Sequence, residues 1–190
     1  MATDNNDSSD KSSSPFLIQV SEPPLPTYNE IHHFLSTSSP NCGAIATFAG
    51  ITRNTFQNKK VLQLHYEGYT SMALSTLHSL CVDAKSKYPT VDRIVAVHIL
   101  GSCNVGETSV IVGCNAPHRK EALACTEYLI DELKARVPIW KKEIYEDDGD
   151  GESGGVWKEN VEWREGRRCR VMVKEQEGEE ELQGTKAEEE

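Results

Sequence analysis

The spacing of apolar residues predicts a series of short strands in the first two thirds of the chain. Apolar or alternating runs of strand length lie at 16–20, 43–53, 61–67, 91–101 and 107–115. In the third run Leu62, Leu64 and Tyr66 alternate, which predicts that they share one face of the strand. A polar connection precedes that run, and a turn containing Asn104 and Gly106 joins the last two runs.

Three stretches repeat apolar residues at helical spacing. Thr27 and Glu30 fit a capping box, in which the two side chains satisfy backbone N–H groups at the start of a short helix. A second helix is predicted over 71–87, with a buried stripe of Leu74, Leu77, Cys81 and Ala84. A third opens near Pro117 and ends before Pro138, with a buried stripe of Ala122, Cys125, Leu129 and Leu133.

The chain beyond Pro138 predicts a final hairpin. Residues 139–146 have the pattern of a strand, 147–155 that of a turn, and 156–163 that of a returning strand. Strands joined by hairpins and mixed with helices are typical of an α+β fold. We therefore predict an α+β domain with a mostly antiparallel sheet and three helices, and not a doubly wound parallel sheet.

Composition divides the 190 residues into three parts. Residues 1–14 are rich in Ser, Asp and Asn and are predicted to be disordered, as is an acidic tail over 166–190. The domain is predicted over 15–165. The opening segment lacks an apolar run and no later stretch has the ~20 apolar residues of a membrane span, so we expect a soluble, cytosolic protein.

Charge and cysteine usage exclude several function classes. The formal net charge of −10 argues against a general nucleic-acid binder, which needs a basic stripe. The six cysteines form no CxxC pair, so we expect buried thiols in a reducing compartment.

The sequence also lacks the common motifs of metal, phosphate and nucleophile sites. His32 and His33 have no third metal ligand nearby, and neither a phosphate-binding loop nor a GxSxG motif is present. We expect neither a bound metal nor a cofactor.

One short stretch runs against the acidic character of the chain. Residues 133–142 carry four fixed positive charges and no acid, on Lys134, Arg136, Lys141 and Lys142. Lys141 and Lys142 are predicted on opposite faces of a strand, so one of them faces the interior side. A lysine among other cations loses its proton more readily, which suits acid–base or nucleophilic work. The stretch fits either a pocket for an anion or a solvated basic edge, and the residues alone favour the solvated edge over a catalytic site.

Two further groups of cations could belong to such a pocket. His118 and Arg119 lie in the first turn of the third predicted helix, where the helix dipole disfavours cations unless an anion compensates them. Arg53 follows a predicted strand that contains Gly50. A glycine within a strand indicates a bulge or a close approach of another backbone. The alternatives are an ordinary surface helix start and a solvated strand end.

Taken together, these stretches resemble a known family. FAGITR, PHRKEALACTEYLIDELKARVPIWKKE and GVWKEN resemble the catalytic (large) subunit of molybdopterin synthase over about residues 16–162. The resemblance implies an α/β-hammerhead type of α+β fold and a homodimer. It also implies a small ubiquitin-like partner whose C-terminal Gly-Gly carries a thiocarboxylate. Sulfur from that group would pass to cyclic pyranopterin monophosphate, giving the dithiolene of molybdopterin.

The resemblance also implies which residues form the site. They are Arg53, His118, Arg119, Lys134, Lys141, Lys142 and Glu143. We expect Arg53, His118 and Arg119 to bind the phosphate and pterin. Lys134 and Lys141 are expected at the tail and the reacting carbon as the catalytic pair. Where bacterial members have an arginine after the position of Trp157, this chain has Asn160, and Arg164 is the alternative.

Helix geometry predicts how these residues are shared. His118 and Lys134 are sixteen residues apart, about 24 Å along one straight helix. A pterin-sized ligand does not span that distance, so each site should combine residues of two protomers.

Two other functions fit the basic stretch. The first is a lysine-dependent Schiff-base enzyme acting on an anionic carbonyl compound. The second is a non-catalytic module that docks an acidic protein tail.

Overall fold

The computed structural model describes residues 14–56 and 58–146 together with the backbone of 156–158. Its elements are β1 (Phe16–Ser21), α1 (Tyr28–Ser36), β2 (Ala44–Ile51), β3 (Thr55–Phe56), β4 (Lys59–Gly68), α2 (Thr70–Lys87), β5 (Ile94–Ile99), β6 (Gly101–Asn104), β7 (Thr108–Ala116), α3 (Arg119–Arg136), β8 (Ile139–Tyr145) and β9 (Val156–Lys158). Residues 1–13, the tail 166–190, Asn160 and Arg164 lie outside the described residues, and so do the predictions made for them.

The first sheet has the strand order β1-β5-β7-β2 and holds most of the core. β1 runs parallel to β5, and the other pairs are antiparallel. All six residues of β5 are buried, because helices cover both faces of this strand. Ile94 and Ala96 pack in the cluster that includes α2 and α3, whereas Val95 and Val97 pack against α1.

The second sheet has the order β3-β4-β8-β9, with β6 also paired to β4. All of its pairs are antiparallel. The predicted α+β class is confirmed, since three helices pack on mostly antiparallel strands in the part of the chain described here.

Two short strands of the second sheet were not predicted. β3 occupies part of the predicted polar connection and forms a hairpin with β4 through Asn58, whose φ of 63° places it in the left-handed region. β6 begins at Gly101, whose φ of 81° turns the chain away from β5. Both strands exist because they pair with β4, and such pairing leaves no local pattern of apolar residues.

The predicted alternation in β4 is wrong at one position. Leu62 is 46% exposed, whereas Val61 and Tyr66 are buried. The register between β4 and β8 shifts between Val61 and Gln63. Such a shift inserts an extra residue and changes which side chains face the core.

The predicted helix ends are confirmed. The capping box of α1 is present, with Thr27 N donating to Glu30 Oε2 at 2.7 Å and Glu30 N donating to Thr27 Oγ1 at 3.3 Å. α3 begins after His118 and ends at Arg136, and Val137 is extended ahead of Pro138. Its predicted stripe of Ala122, Cys125, Leu129 and Leu133 is buried. None of the helices in the described ranges is both long and apolar enough to cross a membrane.

Candidate active site

A cavity of about 430 Å³ lies where the two sheets meet the C-terminal end of α3. The first sheet contributes residues of β2, β5 and β7, and the second sheet contributes residues of β3, β4 and β8. Its apolar wall includes Phe48, Leu64, Val110, Ile130, Leu133 and Ile139. This volume lies within the range of small-molecule sites, roughly 300–1,000 Å³.

Four of the predicted site residues line this cavity. Arg53 follows β2, Lys134 lies in the last turn of α3, and Lys141 lies on β8. Glu143 lines it from β8 as well. These four side chains come from three separate parts of the sequence. They meet at the cavity, where α3 packs on β2 and β7 of the first sheet and β8 belongs to the second sheet. Three cations against one carboxylate make the cavity attractive to an anion.

Lys141 has an anionic partner. Its Nζ lies 3.1 Å from Glu143 Oε1, and Glu143 is only 2% exposed. The hydroxyl of Tyr145 donates a hydrogen bond to the other oxygen, Glu143 Oε2. The sequence predicted a lysine surrounded by cations, whereas the structure places the nearest carboxylate on the same strand face two residues away. Strand geometry explains the difference, because i and i+2 side chains point the same way.

The other cations of the basic stretch point elsewhere. Lys142 lies on the opposite face of β8, with His65 of β4 as its register partner. Arg136 pairs with Asp83 of α2 at 2.7 Å, and this hydrogen bond raises the pKa of the guanidinium. Arg136 therefore links α3 to α2 through an ion pair and does not belong to the cavity. The predicted substrate role of Lys142 stays a prediction.

His118 and Arg119 lie at the far end of α3 from Lys134. Both are exposed, and neither lines the cavity of the same chain. The adjoining Ala116 pairs with Ala44, so this end of the helix lies beside the start of β2. One described chain therefore does not bring the two cationic groups into one site, as the helix length predicts.

Four polar residues of the cavity were missed in the sequence. Thr55, Tyr66, His98 and Ser109 line it from β3, β4, β5 and β7. The Tyr66 side chain forms a hydrogen bond with Ser109, and burial raises the pKa of the Tyr66 hydroxyl. Ser109 Oγ in turn donates to the carbonyl of Gly50 at 3.3 Å. The one available signal was a histidine within the otherwise apolar run of β5.

His98 is held in one neutral form. Burial lowers its pKa to about 4, so the ring is uncharged near neutral pH. Its Nδ1 lies 2.7 Å from the carbonyl oxygen of Ile99, which can only accept, so Nδ1 carries the proton. The Tyr66 ring packs edge-on against it at 4.9 Å between centroids. Within the described ranges, no cluster of three or more His, Cys, Asp or Glu residues could hold a metal ion.

Comparison with known proteins identifies the family. The sequence profile of the MoaE protein family matches residues 22–136, more than half of the chain. The chain belongs to the MoaE protein family. The match includes Arg53, His118, Arg119 and Lys134, and the MoaE cavity extends beyond it to Lys141 and Glu143.

Curated relatives within the MoaE family carry a common name. The "Molybdopterin synthase catalytic subunit" of Taeniopygia guttata is 49% identical over 124 residues, covering 65% of this chain and 76% of that protein. The protein of that name from Drosophila erecta is 49% identical over 132 residues, covering 70% of this chain and 34% of its own length. The chain thus spans about a third of the length of the fruit-fly relatives it matches.

A solved MoaE-like structure has the same fold. Molybdopterin synthase from Staphylococcus aureus superposes with a TM-score of 0.64 at 30% identity, covering 77% of this chain and 98% of that chain. The family expected from FAGITR and from the run between His118 and Glu143 is confirmed.

Proposed function

We propose that the protein is the catalytic subunit of a molybdopterin synthase. It transfers sulfur from the C-terminal thiocarboxylate of a small ubiquitin-like partner to cyclic pyranopterin monophosphate, forming the dithiolene of molybdopterin. The observation that carries this proposal is the cavity that brings Arg53, Lys134 and Lys141 together in a chain of the MoaE family.

The charges of the cavity suit the two reactants. The pterin substrate carries a cyclic phosphate and the donor tail ends in a thiocarboxylate, so two anions must approach each other. Arg53, Lys134 and Lys141 offset that repulsion, and the surrounding apolar wall strengthens their effect by lowering the local dielectric. Arg53 is assigned to the phosphate and pterin, and the two lysines to the tail and the reacting carbon.

Sulfur transfer also requires movement of protons. A carbon–sulfur bond forms at the substrate as a substrate carbon–oxygen bond breaks, and the leaving oxygen must gain a proton. Water then cleaves the acyl–sulfur bond, so that the sulfur stays on the substrate and the tail of the partner leaves as a carboxylate. A lysine ammonium at the cavity wall can donate it. The ion pair with Glu143 favours this role for Lys141 over Schiff-base chemistry, which needs a neutral amine.

The sulfur comes from the partner protein, so no cysteine of this chain is required as a carrier. Cys42, Cys81, Cys103, Cys114 and Cys125 are free thiols in the structure. Free thiols suit a reducing compartment, and we propose the cytosol as the site of the reaction.

We further infer that two copies of the chain complete each site. Among the described strands β2 pairs only with β7, and its Ile45, Phe48 and Ile51 side chains are exposed. The Ala44 end of β2 lies beside His118, whereas its Ile51 end lines the cavity. Antiparallel pairing of two β2 strands about a two-fold axis would bring His118 and Arg119 of one copy to the cavity of the other.

The proposal is tested by reconstitution with a thiocarboxylated small subunit and the pterin precursor, scored as dithiolene product. Lys134→Ala and Lys141→Ala should each lower the turnover at least about 100-fold, the size expected for loss of a proton donor or an oriented cation. Binding of the small subunit should be retained.

The matched control is Lys87→Ala, because Lys87 is in the last turn of α2 and stacks on Tyr128 at 4.3 Å outside the cavity. Its turnover should equal that of the unaltered chain. If the unaltered chain shows no turnover and both cavity variants lose binding of the small subunit, the result would instead favour a docking module.

A further inference from the structure

The face of β8 that lines the cavity continues to Tyr145, two residues beyond Glu143. Lys141, Glu143 and Tyr145 are at positions i, i+2 and i+4 of one strand, so their side chains lie in a row. Lys141 and Glu143 line the cavity, whereas Tyr145 is not among its lining residues in the described part of the chain. We propose that Tyr145 is a positioning residue that fixes Lys141 by holding the carboxylate of Glu143.

Burial makes the orientation of Glu143 depend on its donors. A carboxylate that is 2% exposed has lost its water and needs hydrogen bonds to both oxygens. Lys141 Nζ forms an ion pair with Oε1 at 3.1 Å, and the Tyr145 hydroxyl donates a hydrogen bond to Oε2. Without the hydroxyl the carboxylate would turn toward another donor, and Oε1 would leave its place beside Lys141.

The position of Lys141 in turn depends on that carboxylate. The lysine side chain is 37% exposed, so its flexible stem is not fixed by packing alone. The ion pair selects the rotamer that keeps Nζ at the cavity wall. Catalysis is sensitive to displacements of about 1 Å in such a group. Tyr145 therefore acts through Glu143 and does not touch the reactants.

The inference rests on the proposed function for its kinetic test. Tyr145→Phe keeps the ring and removes the hydroxyl. In the reconstituted enzyme its kcat should fall about tenfold while the KM for the pterin precursor stays within about twofold, because a misplaced proton donor slows the chemistry more than binding. Lys59→Ala removes an ammonium whose Nζ lies 5.7 Å from the centroid of the Tyr145 ring, and it should leave kcat unchanged.

A second readout does not need activity. Lysine acylation by an amine-reactive ester, followed by peptide mass spectrometry, should be about threefold faster at Lys141 in Tyr145→Phe, as loss of a partly exposed ion pair predicts. Lys87 serves as the internal reference and should react equally in both chains.

The outcomes separate the two claims. An unaltered chain that forms no dithiolene overturns the proposed function, and the acylation rates then still decide the inference. An active chain whose kcat and Lys141 acylation are both unaffected by Tyr145→Phe overturns the inference alone.

Discussion

Individual residues of the cavity differ in how far the sequence could indicate them. The basic run in an acidic chain singled out Lys134 and Lys141, and the family resemblance then predicted them as site residues. The burial of Glu143 was not predicted, because it depends on the ladder between β8 and β4, where Glu143 pairs with Leu64. His98 gave only the signal of a histidine in an apolar run, since its environment is set by strands that are distant in sequence.

The neutral state of His98 predicts a pH dependence of stability. Its pKa is about 4 in the folded chain against 6.5 in the unfolded chain, so the unfolded chain binds more protons between these values. The free energy of unfolding therefore falls as pH is lowered through this window, by on the order of 2 kcal/mol between pH 7 and pH 5. Urea unfolding at the two pH values should show this difference.

The control for this effect is His98→Gln, which removes the titrating group. Its loss of stability between pH 7 and pH 5 should be smaller than that of the unaltered chain by that same amount. Equal losses in the two chains would show that His98 is not held neutral by burial.

At the scale of elements, helices were better predicted than strands. Local signals such as the capping box at Thr27 and the proline after Val137 set the ends of α1 and α3. The short strands β3 and β6 and the register shift at Leu62 depend on β4 as a partner. Pairing of that kind is a long-range property, and a pattern of apolar residues does not encode it.

The edge of β2 that no described strand covers predicts the behaviour of a charged variant. Ile45 is exposed on this strand, and a charge on an edge strand opposes pairing with another chain. Ile45→Lys should therefore shift the protein toward monomers in sedimentation velocity and lower the turnover with it. Its far-ultraviolet circular dichroism should be unchanged.

Leu123→Lys provides the matched control, because Leu123 is exposed on α3 and not on β2. It should sediment like the unaltered chain. A fully dimeric Ile45→Lys variant would argue against pairing through β2.

At the scale of the whole molecule, the fold class and family followed from the sequence, whereas the cavity did not. Arg53, Lys134 and Glu143 come from distant positions, and their meeting depends on how α3 packs on the first sheet and on where β8 of the second sheet lies. The domain limits of 15–165 stay a prediction, as do the joint roles of His118 and Arg119 with the lysines.

The central claim is a cationic cavity, completed by two copies of the chain, that carries out sulfur transfer. It is tested most directly by mixing two inactive variants, Lys141→Ala and His118→Ala, under conditions of subunit exchange that differently tagged chains verify. Only mixed dimers then hold one intact cavity, built from His118 of one copy and Lys141 of the other.

Dithiolene formation in the mixture should recover to about a quarter of the unaltered rate, since random exchange makes half of the dimers mixed and each has one intact cavity of two. Verified exchange without any recovery, beside an active unaltered protein, would contradict the shared cavity.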